Sequence, residues 1–450
     1  MSFASFNLNP ALTRAVADMG FTEPTPIQRD GIPHGLAGRD LLACAMTGSG
    51  KTAAFLLPIM QRLLASRRGT TRALVLAPTR ELAAQIVEHF DALARHTDLR
   101  AAAVYGGVPL PPQERALRRG VDLIVACPGR LLDHMQHDYA KLRGLEVVVF
   151  DEADRMLDMG FLPDIKRICS QLPPIDQTML FSATVPKPIV TLAHQMMDSP
   201  AVLNIERPAA PADGVRQEIY PVRDKLKPHL LLALLRSGKV HNVLVFTRTK
   251  HRANRLAAFL QQQKVPCERI HGNRSQSQRT KALEGFKSGR YRVLVATDVA
   301  ARGIDISALS HVINFDVPNV PEDYIHRVGR TARAGATGDA LTFVAPKENK
   351  ELQAIQRAVK KTLPRVTLED FDYDHTPSER FEIPIGERIA EIRARKAADR
   401  ERSRAKAERK AAQTSAQPAK AQAASGAPGT DRGTPTARRP RRQRSRRRRA

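Results

Sequence analysis

At 450 residues the chain is about three times the ~150-residue size of an ordinary domain, and its 42% hydrophobic content suffices for two or three packed cores and excludes a chain disordered throughout. Lys and Arg number 72 against 46 Asp and Glu, a formal net charge of +26 that selects a polyanion as partner. Tryptophan is absent and aromatics make up 5%, which excludes a mode of action built on many exposed stacking rings.

The N-terminus lacks a charged segment followed by an apolar one, and no run reaches ~18 apolar residues, so a soluble, cytoplasmic protein is expected. Cys44, Cys127, Cys169 and Cys267 lie far apart with no C-x-x-C spacing, which points away from a zinc site and from a disulfide framework.

Short apolar strands alternate with longer helical patterns through the first two hundred residues, the pattern of a parallel sheet covered by helices on both faces. The first strand, 40–44, runs into the loop 45–52, Ala-Met-Thr-Gly-Ser-Gly-Lys-Thr, and a helical pattern starts at 53. Gly48 and Gly50 let backbone N–H groups surround phosphate oxygens, with Thr47 and Ser49 in the same loop. Lys51 supplies a cation and Thr52 can help hold Mg²⁺ at the helix N-terminus. Ala45 stands where the strict consensus has Gly.

Further strands are expected at 73–77, 123–126, 146–150 and 178–182. The β-branched strand 146–150 delivers Asp151-Glu152-Ala153-Asp154 at its C-terminal end, where open α/β sheets bind ligands. There Asp151 can orient Mg²⁺ through its water shell, and Glu152 can polarise a water for attack on a γ-phosphate. The reaction class is hydrolysis of a nucleoside triphosphate.

At 206–214 the alternation breaks into a stretch rich in Pro and Ala, read as an interdomain linker. Strands resume at 243–246, 292–296, 312–315 and 340–344, giving a second α/β domain that faces the first across a cleft. Residues 386–450 carry 21 Lys and Arg against 6 Asp and Glu, a net of +15 that leaves +11 for the rest. Within them 387–412 is a marginal exposed helix by composition, and from 413 onward the chain is expected to be disordered.

The Asp-Glu-Ala-Asp run after the phosphate loop, then Ser182-Ala183-Thr184, then His326-Arg-Val-Gly-Arg-Thr-Ala-Arg333, together resemble the DEAD-box ATP-dependent RNA helicases of superfamily 2, over roughly residues 3–333. The compact core and basic tail resemble the bacterial RhlE-like branch. The resemblance implies two tandem RecA-like (P-loop NTPase) domains with parallel sheets flanked by helices, at 1–205 and 215–370, joined by the linker 206–214 and followed by a basic, largely disordered tail at 371–450.

It also implies roles for residues that match the family's motifs. Phe3, the Gly20-Phe21 pair and Thr25-Pro-Ile-Gln28 look like the Q motif, in which Gln28 and the upstream aromatic recognise adenine, hence ATP as cofactor. A Gln side chain offers the donor and acceptor that the adenine edge needs, although Gln28 without the family reads as a surface residue. Pro78, Thr79, Arg80, Gly106, Gly107, Pro128, Gly129 and Arg130 match RNA-contacting motifs of the first domain, with Cys127 where the family has Thr. In the second domain Thr247, Arg248, Gln276, Arg279 and Thr297 match RNA contacts. Gly303 and Asp305 match positions that approach the nucleotide, and Arg330 and Arg333 match arginine fingers. Asp154, Ser182, Thr184 and His326 match residues that couple nucleotide state to RNA grip.

With cradle and acids on one domain and arginines on the other, hydrolysis requires domain closure, which RNA bridging both domains would favour. Two other classes remain open at this point: an RNA chaperone whose ATP site only controls clamping, and a double-stranded DNA translocase. Ribonucleoprotein particles are candidate partners, and the basic tail is expected to attract phosphate without choosing sequence.

Overall fold

The computed structural model describes residues 2–45, 48–65, 69–140, 142–204, 214–301, 309–331, 337–375 and 397. Met1–Glu379 forms one compact unit, and it contains both sheets.

Among the described residues the first sheet has seven strands: β1 (Leu41–Cys44), β2 (Ala73–Leu76), β3 (Ala101–Val104), β4 (Leu123–Ala126), β5 (Val147–Asp151), β6 (Gln177–Ser182) and β7 (Ala201–Asn204). They pair in the order β3-β4-β2-β5-β6-β1-β7, every pair parallel. Both faces of the sheet are buried, which explains why its central strands are apolar without alternation. In β5, Val147 and Val149 join a core with Phe55, Ile86 and Phe181, whereas Val148 and Phe150 face a second core with Leu131, Ile165 and Leu192.

The second sheet holds β8 (Val215–Pro221), β9 (Val243–Phe246), β10 (Cys267–Ile270), β11 (Val293–Ala296), β12 (His311–Asn314) and β13 (Gly338–Val344), again all parallel, in the order β10-β11-β9-β12-β13-β8. Parallel strands put all their C-terminal ends on one edge of each sheet. The segments holding residues 45–52, 78–80, 127–130, 151–154 and 182–184 therefore leave the first sheet on the same side, and 247–248 and 297 leave the second in the same way.

Nine strands read from the sequence are present as β1, β2, β4, β5, β6, β9, β11, β12 and β13, with ends moved by at most two residues. The four not anticipated, β3, β7, β8 and β10, are the edge strands of the two sheets. The expectations for 206–213 and for the tail from 376 onward, apart from Ala397, fall outside the described residues.

One close approach fixes the helix behind the phosphate loop. The helix Lys51–Leu64 buries Phe55, Leu56 and Leu57 and lies against the helix Pro26–Leu36. A Cβ at Gly35 would sit 2.7 Å from Cγ of Pro58, so the absent side chain is what lets the two helices touch. Among the described residues no helix is long and apolar enough to cross a membrane.

Candidate nucleotide and RNA site

Strand β1 ends at Cys44, and the N–H of Ala45 continues the ladder onto the Ser182 carbonyl at 2.9 Å. Gly48 and Gly50 have φ of 85° and 94°, backbone that L side chains rarely adopt, and Gly50 caps the helix that begins at Lys51. A Cβ on Gly50 would lie 2.5 Å from Nε2 of Gln28. The reason is that Gln28 donates from Nε2 to the Gly50 carbonyl at 3.1 Å while its Oε1 accepts from the Thr25 N–H at 3.0 Å. Gln28 is therefore buried, not the surface residue its chemistry alone suggests, and it ties the Thr25–Gln28 segment to the phosphate loop.

Lys51 is buried and donates from Nζ to the Ala45 carbonyl at 3.0 Å, while Thr52 and Ser49 are half-buried at the start of the helix. Thr47, Gly303, Asp305 and Arg333 lie outside the described residues.

The expectation that Phe3 stacks on adenine needs correction. Its ring is 4% exposed and packs on Phe6 at 5.9 Å and on Phe21 at 6.2 Å, so it is spent on the core. Phe21, stacked on it, keeps a half-buried ring.

The acid pair sits at the end of β5. Asp151 is the last ladder residue, opposite Phe181, and its Oδ1 is buried with no hydrogen-bond partner among the described residues. Glu152 follows at φ 53°, ψ 51°, a left-handed conformation unusual for a residue with a side chain and of the kind that concentrates at functional sites. Burial pushes the Asp151 carboxyl above its ordinary range despite Lys51 nearby, and the Glu152 charge adds to the push. Burial acts on Glu152 in the same sense, but the cationic Arg155, Lys51 and Arg330 outweigh it and hold that carboxyl low. The two adjacent acids are thereby driven apart, Asp151 upward and Glu152 downward.

Asp154 closes a small polar ring with the end of β6. Its Oδ2 accepts from the N–H and hydroxyl of Thr184 at 2.8 and 2.9 Å, its own N–H donates to Ser182 Oγ at 3.1 Å, and the Ser182 hydroxyl donates to the Thr184 carbonyl at 2.6 Å. From the second domain, the helix Pro321–Val328 brings up His326, and Arg330 follows, buried. Burial, with Arg155 adding to it, brings the His326 imidazole down to about 4, so it is neutral at neutral pH. Asp154, Ser182, Thr184, His326, Glu152 and Arg330 are thus brought together.

Arg327, which sequence reasoning passed over between His326 and Arg330, is structural. It grips Asp298 bidentately at 2.6 and 2.7 Å, donates to Asn314 Oδ1 and the Asp316 carbonyl, and lies over the Phe246 ring at 5.0 Å.

On the neighbouring face Arg80 lies across Gly106 and Gly107, where a Cβ at Gly107 would stand 1.9 Å from the Arg80 Nη1, and Gly107 has φ 81°. Arg130 reaches the Val108 carbonyl at 3.5 Å, Pro128 is buried, and Gly129 borders open space. Thr79 is buried and caps the helix Arg80–Leu93 by accepting from the Leu82 N–H at 3.3 Å.

In the second domain Arg248 donates to the Val317 carbonyl at 3.0 Å and to Glu348 at 3.3 Å, and Thr297 is half-buried. Thr247 is a correction to the expected RNA contacts. It is 0% exposed, with its hydroxyl on the Thr249 and Ala296 carbonyls, and so braces the sheet end instead of facing a ligand. Gln276 and Arg279 are also otherwise engaged: both hold Glu81 of the first domain, at 2.9 Å each. Glu81 was missed because a lone acid beside Arg80 reads as ordinary helix-start charge; its partners are almost two hundred residues away.

A phosphate loop and paired acids on one parallel sheet, with a buried arginine from a second parallel sheet against them, define a two-domain P-loop ATPase of the RecA type. Residues 25–192 match the DEAD/DEAH box helicase model and 226–335 the helicase conserved C-terminal domain. The chain is 42% identical over 371 residues to the DEAD-box ATP-dependent RNA helicase CshA of Bacillus cereus (strain ATCC 10987 / NRS 248), covering 82% of this chain and 70% of that one. It is 43% identical over 366 residues to CshA of Bacillus subtilis (strain 168), covering 81% and 74%. The fold resembles S. cerevisiae Dbp5 bound to RNA and ADP BeF3, with a TM-score of 0.75 at 30% identity over 82% of this chain and 96% of that one. It also resembles DEAD-box helicase Mss116 bound to ssRNA and UDP-BeF, at 0.73 and 27% over 83% and 79%. The chain belongs to the DEAD-box ATP-dependent RNA helicases.

Proposed function

We propose that this chain binds ATP between its two domains, grips an RNA backbone along the same edge of both, and uses the closed state and its hydrolytic reset for local unwinding of duplexes or remodelling of ribonucleoprotein particles in the cytoplasm. One observation carries the reading: Arg155, hydrogen-bonded to Glu152 in the first domain, lines one small cavity with His326 and Arg330 of the second. An acid and an arginine that meet only when two domains dock make hydrolysis conditional on docking.

In this reading Gln28 reads the adenine edge, and the loop residues Gly48, Ser49, Gly50 and Lys51 cradle the phosphates, with Thr47 beside them. Glu152 accepts a hydrogen bond from the attacking water, and Arg330, joined by Arg333, stabilises charge on the transferred phosphoryl group. Gly303 and Asp305 complete the nucleotide side. Mg²⁺ fits the first domain, because Asp151 Oδ1 is a buried oxygen with no hydrogen-bond partner among the described residues and Thr52 lies in the first turn of the adjoining helix. These two residues would hold the ion, partly through water, and it would neutralise phosphate charge.

RNA is gripped by Arg80, Gly106, Gly107, Gly129 and Arg130 on one side and Arg248 and Thr297 on the other. These are side chains and backbone suited to phosphate, so no sequence preference is expected. Glu81 with Gln276 and Arg279 makes a polar latch between the domains, one strand-gripping surface holding the other.

The test is ATPase activity of the full chain without nucleic acid, with single-stranded RNA and with matched DNA, with Glu152→Gln as the blank. RNA-specific stimulation supports the proposal. Equal stimulation by DNA points to a translocase, and none by either to an ATP-controlled binding protein.

A further inference from the structure

The residue after the acid run, Arg155, has entered so far only as a charge beside Glu152 and His326, yet it is one of the most deeply buried charges in the first domain. The left-handed turn at Glu152 and the short helix Ala153–Asp158 place positions 152 and 155 on one face. Arg155 Nη1 donates to Glu152 Oε2 at 3.0 Å, with the two side chains 3% and 4% exposed.

A guanidinium buried for stability alone would satisfy its donors. Arg155 does not: its Nη2 is buried with no hydrogen-bond partner among the described residues. The side chain lines a small cavity with Phe246, His326, Arg327 and Arg330 of the second domain. One amino group thus holds the acid, and the guanidinium borders the wall from which the second domain's arginines approach.

We propose that Arg155 is a positioning residue for ATP hydrolysis, fixing the Glu152 carboxylate in the orientation from which it accepts the hydrogen bond of the attacking water. A glutamate has three side-chain torsions, and each charged partner removed lets its carboxylate sample more orientations, of which few aim at the water. Arg155 removes that freedom through a planar, charged donor.

The inference rests on the role given to Glu152 above, and the experiment separates the two. RNA-stimulated ATPase of the full chain is measured for wild type, Arg155→Met, Arg155→Lys, Glu152→Gln and the Glu152→Gln/Arg155→Met double variant. Arg155→Met is expected to lower kcat about 30-fold with KM for ATP within about twofold, and Arg155→Lys to recover to within about fivefold of wild type, because one charged donor still reaches the acid. In the Glu152→Gln background Arg155→Met should cause no further loss, since the group it positions is gone.

Unchanged kcat in Arg155→Met, a rise in KM alone, no recovery with Lys, or an equal further loss in the Glu152→Gln background would each overturn the proposal. If Glu152→Gln itself retains wild-type turnover, it is the reading of Glu152 that fails. Arg155→Met removes a charged partner from a buried carboxylate. Should it not fold, Arg155→Gln, which keeps an amide donor, carries the test: a loss in kcat alone supports the proposal and wild-type kcat refutes it.

Discussion

At Cys127 a sulfur stands where a single oxygen could serve both a helix cap and a phosphate. Cys127 is the N-cap of the helix Pro128–Met135, yet no side-chain hydrogen bond caps the helix there, and burial pushes its thiol up to about 12, so it stays neutral. A Thr at this position would offer the oxygen that helix N-termini favour. Cys127→Thr is expected to stabilise the chain by about 1 kcal/mol, visible as a small rise in the thermal midpoint, and to tighten RNA binding several-fold; an unchanged or lowered midpoint would refute it. Gly107 makes the opposite case, since its left-handed backbone and the Arg80 side chain across it leave no room for a Cβ. Gly107→Ala should push Arg80 aside and weaken RNA binding about tenfold while leaving KM for ATP within about twofold, which filter binding and steady-state kinetics would check. Gln28 and Phe3 mark the limit of reading residues singly. Taken alone, Gln28 reads as a surface residue and Phe3 as an adenine platform, yet Gln28 is buried against the phosphate loop and Phe3 is packed in the core, because burial depends on what the rest of the chain brings alongside.

At the scale of elements, legibility follows position in the sheet. Strands β2, β5, β9 and β11 are covered on both faces and flanked on both sides, so they must be apolar throughout and read as such. The edge strands escape that demand: β3 is mostly alanine, β10 has Glu268 and Arg269 at its centre, and β7 exposes Val202. Their pairing is decided by the neighbour that recruits them.

The end of the second sheet also gathers an ionic cluster invisible in sequence. Lys227 is fully buried against Glu348 at 2.5 Å, while Asp224 takes Lys347 and Arg252 and lies 3.9 Å from Lys227. Burial pushes the Asp224 carboxyl up, but Lys347, Arg252 and Lys227 outweigh it and bring it down to about 2, from an ordinary 3.8. A depressed carboxyl contributes stability above its unfolded value and loses it as pH falls through the folded one. Urea midpoints should therefore fall between pH 4 and about 2 in wild type, and part of that slope should vanish in Asp224→Asn; an identical slope would show that Asp224 contributes nothing.

At the scale of the whole molecule the decisive contacts join segments far apart in the chain. Glu81 holds Gln276 and Arg279, so its loss should loosen domain docking without touching the phosphate cradle. Glu81→Ala is expected to cut RNA stimulation of the ATPase and unwinding about tenfold, with RNA-free turnover within about twofold; a fall in RNA-free turnover of the same size would place Glu81 in the hydrolytic site instead. The basic C-terminal stretch is expected to act by charge count alone. Removing 386–450, which carries +15, should make the dependence of RNA affinity on salt shallower, measured as the slope of log Kd against log salt.

The sequence by itself determined the class of chemistry and the central strands, since phosphate cradling needs Gly48, Gly50 and Lys51 next to one another, and a doubly covered strand needs a continuous apolar run. Only the tertiary structure decided that Thr247 and Phe3 are spent on packing, that Arg327 is a brace, that Gln276 and Arg279 grip Glu81, and that Arg155 holds Glu152 beneath the second domain. Partners across domains are chosen by how two sheets come together, and no local pattern records that.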